Sequence, residues 1–273
     1  MVIYQKIAPP THLKPYVVCF YLWEVDLVST GPLFVESPPT GYASMVFNYG
    51  TPYDVASARN TFSKTPQAFI TGQASKNYRF CIQKSLGAVG IVFHPSAIAS
   101  LFGVKMYEFT DERHDLLSVL GKEAGYLVEQ IEEAPTPAEK IEVLIGFLNG
   151  VLLKRNHRPD KTDLAAQLII GKKGVVQISD LLMDLYVSRR QFERSFMMKV
   201  GVSPKYFARV RRISHLCNLM VQKKWQIEDW HELVHGLGYY DQAHFIKDFA
   251  SFTGKAPSEY LKHNLELANW LKA

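Results

Sequence analysis

Ser188-Arg189-Arg190-Gln191-Phe192-Glu193-Arg194-Ser195-Phe196, followed by Gly201, Pro204 and Phe207, recurs 53 residues later as Asp241-Gln242-Ala243-His244-Phe245-Ile246-Lys247-Asp248-Phe249, Gly254, Pro257 and Tyr260. Seven pairs keep their chemical type in this one register: a helix-capping side chain, two phenylalanines, a cation, a glycine, a proline and an aromatic residue. Such agreement in a chain without low complexity reads as a duplicated helix-turn-helix. Two units of this kind point to DNA as the partner.

Each copy has the pattern a helix pair needs. Ile178, Leu181, Leu182 and Leu185 form an apolar stripe, and Ser188 with Gln191 reads as a capping box. Phe192, Phe196 and Val200 then recur every four residues and face inward, which leaves Arg189, Arg190, Glu193, Arg194 and Met197 outside. In the second copy Trp230, Leu233, Val234 and Leu237 precede the turn Gly238-Tyr239-Tyr240, and Asp241 is the cap. Phe245, Phe249 and Phe252 go in, while Gln242, Ala243, His244 and Lys247 stay out. The two exposed faces, about 188–199 and 241–252, carry donors suited to base edges and phosphates. Ser203-Pro204 starts a linking helix through Phe207, Val210, Ile213, Cys217 and Met220 to Lys223. At the α-helical rise it spans roughly 30 Å, against about 34 Å for one turn of B-DNA, so two helices could reach successive major grooves.

Charge divides along the same line. Residues 1–150 hold 11 Lys and Arg against 14 Asp and Glu, whereas residues 151–273 hold 20 against 12. A basic half joined to a mildly acidic one fits a nucleic-acid module fused to another domain. Cys19, Cys81 and Cys217 lack metal or disulfide spacing, which suggests a reducing compartment. No apolar run is long enough to span a membrane and Met1–Pro10 lacks a signal-peptide pattern, so the expected location is the cytoplasm.

The first 110 residues read as short strands, with Tyr16–Trp23, Ser44–Tyr49 and Ala88–Phe93 rich in β-branched and aromatic side chains. The aromatic set Tyr16, Phe20, Tyr21, Trp23, Phe47 and Tyr49 could line a pocket or fill a core. Leu116, Leu120, Leu127 and Ile131, then Ile141, Leu144, Ile145, Leu148 and Leu152, predict two helices around Pro135-Thr136-Pro137. If this half serves assembly, Leu120, Leu127, Ile131, Leu144 and Leu148 would form a homodimer contact. The expected fold class is α+β in two domains. A β-rich barrel or sandwich with its helices occupies 1–153, a polar linker 154–162, and the all-α tandem helix-turn-helix 163–265.

The string Gly238 to Phe245 with Phe249, Gly254, Pro257 and Tyr260 resembles the C-terminal signature of the AraC/XylS-type bacterial transcription regulators, over about residues 163–263. By that resemblance Arg190, Glu193, Arg194, Gln242, Ala243, His244 and Lys247 occupy base- and phosphate-contacting positions. The resemblance implies a transcription regulator acting on double-stranded DNA, activator or repressor being left open, with RNA polymerase as a further partner. Residues 10–115 are similar to the small cupin-like β-domains of such regulators through Pro15-Tyr16, Phe47-Asn48, Ile70-x-Gly72 and Phe93-x-Pro95; a small-molecule effector is left unspecified. The chain departs from the family pattern at Leu182 and Val234, where small residues are usual, and at Tyr186, where glycine is common. A left-handed tyrosine would be strained.

His231-Glu232-Leu233-Val234-His235 is a formal H-E-x-x-H, and with Gly238 and Asp241 it imitates a longer zincin string. The repeat already uses Gly238 as turn and Asp241 as cap, and no methionine follows Met220 to form a Met-turn. No metal, other cofactor or enzymatic activity is therefore expected, and the zinc metalloprotease is the minor alternative. An interaction or assembly protein with a degenerate DNA-binding fold is the other.

Overall fold

The structure, a computed structural model, describes residues 2–26, 31–56, 61–154, 159–223, 227 and 230–260, with the backbone alone at His231. Six strands form one antiparallel sheet: β1 (Val2–Ile7), β2 (Val17–Asp26), β4 (Ala43–Asn48), β7 (Ala68–Thr71), β9 (Ser85–Phe93) and β10 (Arg113–Asp115). Their order is β1-β2-β9-β4-β7-β10. A second sheet, in the order β3-β8-β5-β6, is built from β3 (Leu33–Ser37), β5 (Asp54–Ala56), β6 (Phe62–Lys64) and β8 (Tyr78–Ile82). No described ladder joins the two sheets, so the layout is a sandwich and not a closed barrel.

The six-stranded sheet is buried on both faces, and its sequence shows why. Successive side chains of a strand point to opposite sides. In β2, Phe20 and Leu22 join a core with Met45, Phe47, Ile70, Val89, Ile91 and Phe93. Tyr21 and Val25 pack on the other side with Val46, Phe69, Tyr78, Ile82 and Ala88, against the second sheet. Burying each large apolar side chain contributes about 1.5–3 kcal/mol, which selects this register over a one-residue slip. The aromatic set named above is thus core or core-packed: Phe20 and Phe47 lie in the first core with Tyr16 and Tyr49 packed against it, while Tyr21 and Trp23 join Tyr53 and Phe80 between the sheets, the Trp23 ring centroid 5.8 Å from both Tyr53 and Phe80.

The outer face is covered by α1 (Ala97–Phe102), α2 (Leu116–Leu120), α3 (Lys122–Glu133) and α4 (Pro137–Lys154). Spacing alone predicted two helices in 116–153; there are three, because Gly121 at φ +62° breaks the first. Lys140 is buried and donates to the carbonyls of Ile131 and Ala134 at the end of α3, with its ammonium 4.9 Å from the Tyr49 ring. Leu127, Ile131, Leu144 and Leu148 lie in the chain's own core and Leu120 packs against it. The dimer contact expected from these leucines is corrected accordingly: they are already covered from within the chain. Helical periodicity marks an apolar face without saying what buries it.

The C-terminal helices are α5 (Lys161–Gly171), α6 (Ile178–Asp184), α7 (Arg189–Val200), α8 (Pro204–Gln222), α9 (Trp230–Gly236) and α10 (Gln242–Thr253). In the stretch read as a linker, α4 extends to Lys154 and α5 begins at Lys161, while residues 155–158 lie outside the described residues. The full reciprocal capping box is here, between Asp160 and Asp163. Ala165, Ala166, Ile169, Leu181, Phe192, Phe196, Val200 and Phe207 form the first helical core. Val210, Ile213, Cys217, Met220, Val234, Leu237, Phe245, Phe249, Phe252 and Tyr260 form the second. Helix α8 seals both, its first turns in one core and the remainder in the other.

Candidate nucleic-acid interface

Helices α7 and α10 are 12 residues each and start at side-chain caps. Gln191 N donates to Ser188 Oγ at 3.4 Å and His244 N to Asp241 Oδ1 at 2.7 Å. Arg189, Arg190, Glu193 and Arg194 are all exposed on α7, and Gln242, Ala243, His244 and Lys247 on α10. Arg189 Nε and Glu193 Oε1 pair at 3.0 Å, a solvated i,i+4 contact worth about 0.3–0.5 kcal/mol. Arg190 and Arg194 have no ion-pair partner among the described residues, so their guanidinium donors face solvent. The His244 ring packs edge-on against Tyr239 with centroids 5.3 Å apart.

The turns ahead of these helices are not of equal length. Leu185, Tyr186 and Val187 return their N–H groups to the carbonyls of Leu181, Met183 and Leu182; Leu237, Gly238 and Tyr239 return theirs to Leu233, His235 and Val234. These turns correspond at an offset of 52, whereas the caps are 53 apart, so the second copy has one extra residue, Tyr240. The left-handed position is Gly238 in one copy, at φ +71°, and Tyr186 in the other, at φ +50°. The strain expected at Tyr186 is present, at about 1–2 kcal/mol for a side chain in that region. Gly238 and Asp241 serve as turn and cap, which leaves both outer positions of the zincin-like string structural; Glu232 and His235 are exposed on α9, and the His231 side chain lies outside the described residues.

Two buried carboxylates that sequence reading passed over hold the helices in place. Asp248 accepts from Arg209 Nε at 2.9 Å and from the Tyr239 hydroxyl at 2.8 Å, tying α10 to α8 and to its own turn. Burial and the Asp248 charge raise the Tyr239 phenol well above its usual range. Asp163 on α5 pairs with Lys199 of α7 at 2.9 Å. Burial pushes the Asp163 carboxyl up, but hydrogen bonds from Ser96, the Asp160 N–H and Lys199 outweigh it, and its pKa lies below the ordinary value.

The β-rich half grips the far ends of both helices. Thr110 Oγ1 donates to Gly201 O at 2.8 Å at the end of α7, and Asn77 N donates to Phe252 O at 2.9 Å near the end of α10. Lys255 Nζ lies 2.9 Å from Glu36 Oε1. On α8, the Tyr206 hydroxyl donates to Ser75 O at 2.6 Å. Arg211 donates to Thr40 O, and its guanidinium lies 4.5 Å from the Tyr42 ring. The opposite ends of α7 and α10, with the residues named from sequence, stay open to solvent. No local motif announces this contact set; its partners are far apart in the chain.

Residues 182–263 match the model of a helix-turn-helix domain, and residues 5–115 that of a domain of unknown function. No curated protein matches the chain. Among solved structures, ToxT from Vibrio cholerae is 14% identical over 89% of this chain and 97% of its own, with a TM-score of 0.44. ToxT from the same organism with a bound unsaturated fatty acid is 14% identical over 89% and 94%, with a TM-score of 0.46. The AraC-like transcriptional activator CuxR is 11% identical over 100% and 99%, with a TM-score of 0.22. The C-terminal module thus contains a helix-turn-helix domain, the class of fold that binds duplex DNA. No described helix is long and apolar enough to cross a membrane.

Proposed function

We propose that the protein reads a specific duplex sequence by inserting α7 and α10 into successive major grooves. The observation that carries this is the pair of capped, amphipathic 12-residue helices with exposed donor faces, held by the 19-residue helix α8. That helix is roughly 28 Å long by its rise, near one turn of B-DNA. Arg194 and Arg190 are assigned to base edges, because a guanidinium can pair bidentately with guanine O6 and N7. Glu193 orients Arg189 and can accept from cytosine. Gln242 and His244 supply hydrogen bonds from α10, and Ala243 an apolar contact. Lys247 suits a phosphate, since its ammonium is a point charge. The regulator divides into residues 1–153, which receive a signal or mediate assembly, and residues 163–265, which bind DNA.

Selection of bound duplexes from fragmented genomic DNA tests the reading directly. Arg194→Ala is expected to weaken the selected site by about 1–3 kcal/mol and relax base preference there. Lys247→Ala should weaken all sequences alike and reduce the salt slope by about one unit. Unchanged binding in both variants would overturn the assignment; exchanged behaviour would overturn only the division of labour.

A further inference from the structure

The two turns that lead into α7 and α10 share a left-handed residue but differ in length, yet each projects a tyrosine into solvent. Tyr186 is 89% exposed and Tyr240 is 88% exposed. They stand 54 residues apart, which matches neither the offset of 52 that aligns the turns nor the 53 that aligns the caps. The duplication therefore did not copy one tyrosine into both places. In the first copy the exposed tyrosine occupies the left-handed position that the second fills with glycine; in the second copy it is the inserted residue. Neither side chain gains appreciable packing, and one sits in a strained backbone, so structural stability accounts for neither.

Each tyrosine has both cations and a carboxylate close by in the chain, with Asp184 two residues before Tyr186 and Asp241 directly after Tyr240. Lys161 donates its ammonium to the Tyr186 carbonyl at 3.3 Å, and Arg189 and Arg190 follow Tyr186 in the chain, in the first turn of α7. Tyr240 precedes the cap of α10, ahead of His244 and Lys247. The helix dipole adds positive potential at the start of α7, where the cap is the neutral Ser188, while at α10 the cap is the Asp241 carboxylate. A phenol is a neutral donor that reaches phosphate oxygens without carrying sequence information. We propose that Tyr186 and Tyr240 each donate a hydrogen bond to a DNA backbone phosphate beside the groove entered by the following helix, and so fix the depth and register of α7 and α10. The inference rests on the DNA-reading assignment above and adds two positioning residues to it.

The test uses the full chain with a selected duplex and a mixed-sequence duplex of equal length. Tyr186→Phe and Tyr240→Phe are each expected to lose about tenfold in affinity for both duplexes, as for a lost hydrogen bond to a charged group. Their salt slope should match the wild type, because no cation is removed, in contrast to Lys247→Ala. Tyr186→Gly should raise the thermal midpoint by relieving the left-handed strain and still lose affinity like the phenylalanine variant. Wild-type affinity in both phenylalanine variants, with Arg194→Ala still impaired, would overturn this inference and leave DNA reading intact. Loss confined to the selected duplex would make the tyrosines base readers and equally overturn it. A wild-type chain that binds neither duplex would remove the DNA-reading assignment and the inference together.

Discussion

Gly201 and Gly254 end α7 and α10 in the same left-handed conformation, at φ +93° and +75°, but only one of them meets the β-rich half. A Cβ on Gly254 would have nothing within 4 Å, so Gly254→Ala introduces only the conformational cost. That cost is about 1–2 kcal/mol, reduced by a few tenths because glycine loses more freedom on folding. A Cβ on Gly201 would stand 2.7 Å from the Met106 carbonyl oxygen and 2.8 Å from Thr110 Oγ1. Backbone on one side and backbone-bonded hydroxyl on the other cannot swing away, so overpacking adds about 1–3 kcal/mol. Gly201→Ala is thus expected to cost about 2–4 kcal/mol in total, against about 1 kcal/mol for Gly254→Ala. At about 2–4 °C per kcal/mol, thermal unfolding of the full chain should show a shift several-fold larger for Gly201→Ala. Equal shifts would refute the claim that the sandwich seats on the end of α7.

Asp248→Asn removes a buried carboxylate shared by Arg209 and Tyr239, and urea denaturation is expected to report a loss of about 1.5–3 kcal/mol; a neutral result would mean that α10 is held by its phenylalanines alone. The Asp163 carboxyl titrates below its unfolded value, so its stabilising share is present above about pH 4 and is lost as pH falls through the folded pKa; Asp163→Asn should flatten the acid limb of stability measured by urea titration. His94 and His215 are held below the usual imidazole value by burial and by the nearby Arg211 charge, with Lys173 acting on His215 as well. Folding therefore favours their neutral forms: stability is complete above about pH 6.5 and declines below it, and thermal midpoints in His94→Asn should decline less between pH 6.5 and 5 than in the wild type.

The sequence made the second half legible because its side chains repeat. Phe192 and Phe245, or Ser188 and Asp241, announce a buried face and a cap by type and spacing alone, and Tyr186 announces its own strain by standing where the turn needs a left-handed residue. The offset change between turn and cap escaped the same reading, since the aligned residues on either side absorb one insertion without losing their periodicity. Helix α5 was missed for a different reason: its buried face is Ala165, Ala166 and Ile169, too small and too evenly apolar around the helix to give a clear stripe. The leucines of α3 and α4 marked a buried face correctly, but the covering surface is a β-sheet whose strands, β2 and β9 among them, lie far earlier in the chain. The contact of the sandwich with α7, α8 and α10 is carried by Thr40, Ser75, Asn77 and Thr110, polar loop residues that look like any others until the chain brings them to a helix end.

Because the sandwich holds the trailing ends of both α7 and α10, the span between the two is measured from a third body as well as along α8. In the proposed reading the protein carries its own ruler, with one jaw anchored at Thr110 and the other at Asn77 and Glu36. Inserting one base pair between the two contacted grooves displaces the second by about 3.4 Å along the duplex and turns it around the axis. A span braced at three points has little give for either movement, so operators lengthened or shortened by a single pair should be rejected far more sharply than a lone linking helix would require.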